Sequence, residues 1–205
     1  MYPFVETLAL FDGKILNLEL HQQRMDRTLN DHQLSSVISL DEVIAPYIKD
    51  HLKGLFKCRV VYDKIVHVVE IHAYSRPLIH RVGILETAID YTYKSTDRSC
   101  FSDLHKQYPG FDDFLLLRNG ELTDSTFCNI ALKDGSQWYT PANPLLAGVQ
   151  RAHLLEEKKI EKRIIRIEDL SAYTQISFFN ALNPLGLHLL DIEDLIDLRQ
   201  IEPVL

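Results

Sequence analysis

Apolar and polar positions change period several times along this chain, alternating first, then helical, then alternating again. Residues 2–10 and 14–18 alternate on either side of Phe11-Asp12-Gly13, and an Asp-Gly pair between apolar runs predicts a hairpin. Leu20, Met25 and Leu29 then recur at near-helical spacing, which predicts a helix over about 19–30. A second helix is expected over 40–53, opened by Leu40-Asp41. Two runs rich in β-branched residues, 56–62 and 65–71, flank Asp63-Lys64 and predict another hairpin. Ser75-Arg76-Pro77 closes that run. Proline has no N–H for a central ladder, so a boundary is expected near 76–81, dividing a small N-terminal α/β lobe (1–78) from a larger C-terminal lobe (79–205).

Beyond the boundary the pattern predicts a strand at 82–91 and a helix at 95–108, then strands at 113–118, 127–133 and 137–139. A helix at 149–158, a strand at 175–180 and a helical terminal segment at 192–199 follow. Mixed periods without an internal repeat define an α+β class. Length and composition agree, since 205 residues with 46% hydrophobic and 25% charged positions can bury a core. A net charge of −7 with scattered Lys and Arg argues against a nucleic-acid partner, while leaving room for a small anionic ligand where a few basic groups converge. Cys58, Cys100 and Cys128 show no CxxC spacing, so neither a disulfide framework nor a metal site is expected. No basic segment precedes a long apolar run, and no stretch approaches the roughly 20 apolar residues of a membrane span. A cytoplasmic location is expected, with no membrane partner.

Several positions are candidates for chemistry. Lys94 follows Tyr91-Thr92-Tyr93, which reads as the end of an apolar strand, and precedes the polar turn Ser95-Thr96-Asp97-Arg98. A strand-end lysine is ordinarily solvated, but one held firmly and desolvated could act as a neutral amine. Asp124 lies in the turn Gly120-Glu121-Leu122-Thr123-Asp124-Ser125-Thr126, where an aspartate commonly bonds its own backbone. Gly148-Val149-Gln150-Arg151 opens a helix, and a helix start with a glycine can bring orphan N–H groups up to an anion. His21 and Arg24 share a helical face. A guanidinium suits a phosphate, and the histidine reads more readily as structural than as a base.

In their order along the chain, Lys94-Ser95-Thr96-Asp97-Arg98, Leu122-Thr123-Asp124, Gly148-Val149-Gln150-Arg151 and Asn180-Ala181-Leu182-Asn183-Pro184 resemble the active-site segments of the class IV aminotransferase family. These are fold-type IV enzymes that use pyridoxal 5'-phosphate, and the likeness is greater to their 4-amino-4-deoxychorismate lyase branch. Leu18-Glu19-Leu20-His21-Gln22-Gln23-Arg24-Met25 is similar to the family's H-x-x-R-L helix, and Phe4-Val5-Glu6-Thr7 to its F-E-T strand. The resemblance implies a two-lobed α+β fold whose active site lies at the lobe interface of a homodimer. Lys94 would bond covalently to the cofactor aldehyde, and Asp124, where the family usually has glutamate, would face the ring nitrogen. Arg98 would lie beside the ring. Gly148, Val149, Gln150, Asn180 and Ala181 would hold the phosphate with Arg24, and Glu6 or Thr7 would face the substrate. Asn129 reads as scaffolding, and Arg59, Arg76 and Arg98 are candidates for the substrate's carboxylates.

Two further departures stand out. Gln150 replaces the usual threonine, and the chain begins almost at the F-E-T strand, which implies a shortened N-terminal lobe. The implied reaction converts 4-amino-4-deoxychorismate to 4-aminobenzoate and pyruvate, a step toward folate. Transamination of branched-chain or D-amino acids on the same fold, or a non-catalytic relative, are the alternatives.

Overall fold

The computed structural model describes residues 3–48 and 53–201. Its chain divides after Arg76: one unit comprises Met1–Arg76 with Tyr93–Asp97, and the other Pro77–Thr92 with Arg98–Leu205. The segment carrying Lys94 therefore belongs to the first unit, not to the C-terminal lobe assigned from sequence. Backbone bonding explains this. Val5 N donates to Lys94 O (2.9 Å), Thr96 N donates to Pro3 O (3.0 Å), and Ser95 bridges Phe4, so the segment extends the edge of the first strand.

The first unit is one antiparallel sheet of order β2-β1-β3-β4 with a helix packed on it. It is built from β1 (Phe4–Phe11), β2 (Lys14–Ile15), β3 (Leu55–Tyr62) and β4 (Val66–Ala73). The β1–β2 turn uses Asp12 and Gly13 at φ 47 and 78, the left-handed pair that an Asp-Gly hairpin requires. Alternation along β1 sends Phe4, Glu6, Leu8 and Leu10 to one face and Val5, Thr7 and Ala9 to the other. Helix α1 (Leu18–Asp31) buries His21, Arg24, Met25, Thr28 and Leu29. Its apolar members join Phe4, Leu8, Cys58, Val60 and Tyr62 in one core. The second helix is shorter than its pattern suggests. α2 spans Leu40–Ile44, capped by Ser39 rather than by Leu40-Asp41, and tightens into a 3-10 turn at Ala45–Tyr47. Pro46 ends it, because its ring excludes the regular helical bond. The remainder of that predicted helix, 49–52, lies outside the described residues.

The second unit holds two sheets. One is ordered β10-β9-β8-β11-β12 and the other β13-β5-β6-β7. Strand β5 covers only Val82–Glu86, short of the predicted 82–91. Beyond it, side chains capture the backbone, since Thr87 Oγ1 accepts from Ile89 N and Asp90 Oδ1 accepts from Thr92 N. Such local bonds compete with ladder pairing. Consequently Lys94 ends no strand. Helix α3 starts at Ser99 and runs to Gln107. Strands β6 (Asp113–Arg118), β7 (Glu121–Ser125), β8 (Asn129–Asp134) and β9 (Gln137–Pro141) follow. The 120–126 turn is thus mostly strand β7, which pairs with β6 through the Asn119-Gly120 turn. Helix α4 (Val149–Glu156), β10 (Glu161–Arg163), β11 (Gln175–Asn180), β12 (Asn183–Asp191) and β13 (Ile196–Asp197) complete the unit. The segment expected to be helical at 192–199 is a 3-10 turn, Ile192–Asp194, followed by β13. Among the described residues no helix is long and apolar enough to cross a membrane.

Candidate functional site

In the first unit three charged or titratable side chains meet inside the apolar core. Period two places Glu6 on the core face of β1, and helical spacing places His21 and Arg24 on the facing side of α1. Arg24 Nε donates to Glu6 Oε1 (2.8 Å) and Nη2 to Oε2 (2.5 Å), while His21 Nδ1 contacts the same Oε2 at 2.6 Å. Burial works against ionisation of Glu6, but the Arg24 and His21 contacts prevail and hold its carboxyl down at about 2. For His21 burial is the larger effect and lowers its pKa below the usual 6.5. His21 is therefore neutral near neutral pH. Its bond to the ionised Glu6 carboxylate, which can only accept, fixes the proton on Nδ1.

Glu6 is fully buried and bonded through both oxygens, so it is part of this cluster and not a substrate-facing residue. Thr7 lies on the opposite face, directly across from Arg59, which pairs with Glu70 (2.9 Å). Lys94 is half-buried, with its carbonyl tied to Val5 N.

In the second unit the central group is Asp124 on β7, 4% exposed. Its Oδ1 accepts from Asn129 Nδ2 (2.7 Å) and its Oδ2 from Leu146 N (2.8 Å). Burial pushes its pKa up to about 6, against the pull of these two donors and of the Arg151 charge. Arg151 is anchored elsewhere, donating to Pro141 O (2.7 Å) and Thr140 Oγ1 (3.3 Å). A carboxylate so placed, with neutral donors on both oxygens, favours a cation or a protonated ring nitrogen brought against it. The turn after it is set by Asp113, whose Oδ1 accepts from Thr126 N (3.0 Å) and Thr126 Oγ1 (2.6 Å).

Asn129 also donates to Leu146 O (3.0 Å), which carries the Asp124 contact to the segment leading into α4. Gly148 caps that helix with φ −70, a value open to any residue. Glycine is needed there for space, because an ideal Cβ at 148 would lie 1.8 Å from Asn129 Oδ1. The first N–H groups of α4, contributed by Val149 and its neighbours, lack intrahelical acceptors as at any helix start. Gln150 lies half-buried in this first turn.

Asn180 closes β11. Its Oδ1 accepts from Leu182 N (2.9 Å) and Asn183 N (3.1 Å), and its Nδ2 donates to Phe127 O (3.3 Å), so its side chain builds the Asn180–Asn183 turn. Ala181 is within that turn. Arg98 donates to Thr126 O (2.6 Å) and Tyr91 Oη (3.2 Å) and stacks over Phe101 at 4.8 Å. It thus braces the residues just beyond Asp124.

The second unit therefore gathers Asp124, Asn129, Gly148 and the start of α4, with Arg98 bracing Thr126. The first gathers Glu6, His21 and Arg24, and carries Lys94 on the edge of β1. Sequence reasoning did not pair Glu6 with His21 and Arg24, although an acid at an apolar-face position of β1 was a legible signal for a buried partner.

This two-unit α+β arrangement is that of fold-type IV enzymes. The amino-transferase class IV family profile matches residues 92–186. A solved structure of a proposed 4-amino-4-deoxychorismate lyase from Haemophilus somnus is 34% identical, covering 90% of this chain and 98% of that one, with a TM-score of 0.84. A Schizosaccharomyces pombe protein described as a proposed aminodeoxychorismate lyase is 25% identical over 84% of this chain and 83% of its own. The fold is shared with a hypothetical aminotransferase from Mycobacterium tuberculosis solved in its pyridoxal-phosphate-bound form, at 15% identity over 91% of this chain and 80% of that one, TM-score 0.71. The chain belongs to the class IV amino-transferase family.

Proposed function

We propose that this protein is a pyridoxal-phosphate enzyme that splits 4-amino-4-deoxychorismate into 4-aminobenzoate and pyruvate. The observation that carries the cofactor reading is Asp124, a buried carboxyl pushed up to about 6 and bonded only by neutral donors, next to a glycine-capped helix start. Its charge suits a protonated pyridine nitrogen, and the helix start suits a phosphate. The lyase assignment is supported by the likeness to the Haemophilus somnus and Schizosaccharomyces pombe proteins.

In this reading Lys94 would be the residue that holds the cofactor aldehyde. Asp124 holds the ring-nitrogen proton, and Asn129 keeps the carboxylate aligned. Backbone N–H groups of Val149 and Gln150 beside Gly148 hold the phosphate, with Arg24 as its basic ligand and the Asn180-Ala181 turn as a further contact. Arg98 keeps Thr126 in place behind Asp124. When bound, the pyridoxal ring withdraws electrons from the substrate's amine-bearing carbon and acidifies its proton. Once the substrate amine has displaced it from the aldehyde, Lys94 Nζ would take that proton, the C–O bond to the enolpyruvyl group would break, and Lys94 would return a proton to the departing fragment, which would leave as pyruvate, before displacing the product amine in turn. Atoms balance without water or an oxidant, and aromaticity of the product makes the step effectively one-way. Thr7 and Arg59, opposite one another on the non-core face of the sheet, are the candidates of the first unit for contact with the substrate and its carboxylates. The enzyme acts as a homodimer in the cytoplasm.

The test is to supply aminodeoxychorismate to cofactor-loaded protein and follow both products. Formation of 4-aminobenzoate and pyruvate in equal amounts supports the lyase. Absence of both, together with amino transfer from a branched-chain or D-amino acid to a keto acid, would replace it with a transaminase.

A further inference from the structure

Strand β7 meets β6 out of step. Leu117 stands opposite Leu122 and Leu115 opposite Ser125, so the single residue Leu116 faces both Thr123 and Asp124. One extra residue in one strand is a β-bulge, and bulges re-aim the side chains they carry. What this does to Asp124 follows from the two cores on either side of β6. Leu115 and Leu117 lie in one core with Leu122, whereas Leu116 lies in the other, against which Leu146 packs. Strict alternation would give Asp124 the face of Leu122, two residues earlier, and bury its carboxyl in the first, apolar core. The extra residue turns it to the Leu116 side instead, where Leu146 N donates to Oδ2 at 2.8 Å and Asn129 Nδ2 to Oδ1 at 2.7 Å.

A side chain of the bulge itself holds it in place. Leu117 O accepts from Thr87 N just past β5 (3.0 Å), so the preceding carbonyl, Leu116 O, turns the other way, toward β7. There Thr123 Oγ1 donates to it at 2.7 Å, and with Thr123 only 3% exposed water does not compete for the bond. Downstream, Asp113 Oδ1 grips Thr126 N and Oγ1, so the extra residue is confined between two side-chain anchors. Without the upstream anchor the bulge is free to shift toward Ser125 and take Asp124 out of line with Leu146 N and Asn129. Resting on the pyridoxal-phosphate reading, we propose that Thr123 is a positioning residue: its hydroxyl fixes the bulge that turns Asp124 out of the apolar core and aligns its carboxylate with the cofactor's ring nitrogen.

Thr123→Val keeps the shape and removes the hydroxyl, while Thr123→Ser keeps the hydroxyl. Amide exchange is measured first, on cofactor-free full-length protein. In Thr123→Val the Leu146 N–H, which reports the Asp124 carboxylate, should exchange about tenfold faster or more, while the β8–β11 ladder keeps its wild-type protection. Each protein is then loaded with pyridoxal phosphate carrying 15N in its ring. Wild type and Thr123→Ser should show the protonated ring-nitrogen signal, and Thr123→Val a shift toward the unprotonated one. With aminodeoxychorismate, kcat of Thr123→Val should fall about a hundredfold at nearly unchanged KM, and Thr123→Ser should recover most of it. Leu146 exchange and a ring signal equal to wild type in Thr123→Val would overturn the proposal, as would protection lost evenly through the fold, the mark of a merely structural residue. Should Thr123→Val fail to fold, the wild-type Thr123 hydroxyl proton decides, slow exchange supporting the proposal and free exchange overturning it. An unprotonated ring nitrogen in wild type, or failure to bind the cofactor, would overturn the cofactor reading and this inference with it. Leu146 exchange, measured without cofactor, tells that failure apart from a failure of the bulge.

Discussion

Asn129 Nδ2 donates to Asp124 Oδ1 at 2.7 Å, and Asn129 Oδ1 fills the space where a side chain at position 148 would begin, 1.8 Å from an ideal Cβ. The glycine at the start of α4 and the alignment of the buried acid are thus one packing arrangement. Gly148→Ala must push Asn129 away, and the backbone at φ −70 offers no relief because it is already unstrained. Overpacking of this kind costs about 1–3 kcal/mol. The expected result is a lower melting temperature and weaker cofactor retention, with stability partly recovered in Gly148→Ala/Asn129→Ala. An alanine variant that melts and binds cofactor like wild type would show that the arrangement tolerates a methyl group.

Asp124 should matter to turnover more than to cofactor attachment. Asp124→Asn replaces one acceptor by a donor facing Asn129 Nδ2 or Leu146 N, and it removes the charge that holds a ring proton. Product formation is expected to drop roughly a hundredfold or more. The cofactor should still be found on Lys94 by the mass of the borohydride-reduced protein. Asp124→Glu restores the family's usual acid and should retain part of the activity. Near-normal turnover in the asparagine variant would remove Asp124 from the mechanism.

Acid lability should arise from the first unit. Glu6 is held at about 2 in the fold against an ordinary 4.5, so its contribution to stability is complete above 4.5 and is lost as pH falls toward 2. That difference corresponds to about 3 kcal/mol. His21 acts in the same direction, since its folded pKa lies below 6.5 and unfolding gains a proton as pH falls below that value. Asp124 acts oppositely. With its folded value raised from 3.8 to about 6, it contributes least above 6 and favours the folded state increasingly as pH falls from 6 toward 3.8. Urea denaturation of cofactor-free protein across this range should show Glu6→Gln destabilised by about 3–5 kcal/mol at neutral pH, because Arg24 loses its counter-charge. The variant should also lose the wild-type decline between 4.5 and 2. A parallel decline in both proteins would place the acid sensitivity elsewhere.

Much of this was legible where one interaction dominates. The Asp12-Gly13 turn, α1 and the paired strands β3 and β4 follow from turn chemistry and periodicity, and the structure places them within a residue or two of expectation, whereas β2 stops at Ile15, short of the expected 18. Pro46 and the Thr87 and Asp90 side chains shortened two elements, because a local hydrogen-bond preference outweighed a continuous apolar pattern. The polar segment Glu121-Leu122-Thr123-Asp124-Ser125 was read as a turn although it is a strand, since its partners, β6 and Arg166 opposite Glu121, are tertiary. Similarly, β10 and β12 owe their form to sheet neighbours distant in sequence.

For the candidate site, residue types were legible and bonding was not. Gly148, Asn129 and Asp124 could be singled out as a set, but only the coordinates show that the glycine yields its space to the asparagine. Lys94 was assigned to the larger lobe because the boundary was drawn at Ser75-Arg76-Pro77. Its carbonyl bond to Val5 N, across nearly ninety positions of sequence, leaves no local trace.

Lys94 is the residue on which the account depends most, and Lys94→Ala gives the most direct measurement. Purified wild type and variant, each supplied with pyridoxal phosphate and checked for folding, would be given aminodeoxychorismate while 4-aminobenzoate and pyruvate are followed together. Wild type should release the two products one for one, and Lys94→Ala should release neither while remaining folded. Equal product release by the variant would contradict the assignment of Lys94 as the proton carrier, and absence of products from a cofactor-loaded wild type would contradict the lyase itself.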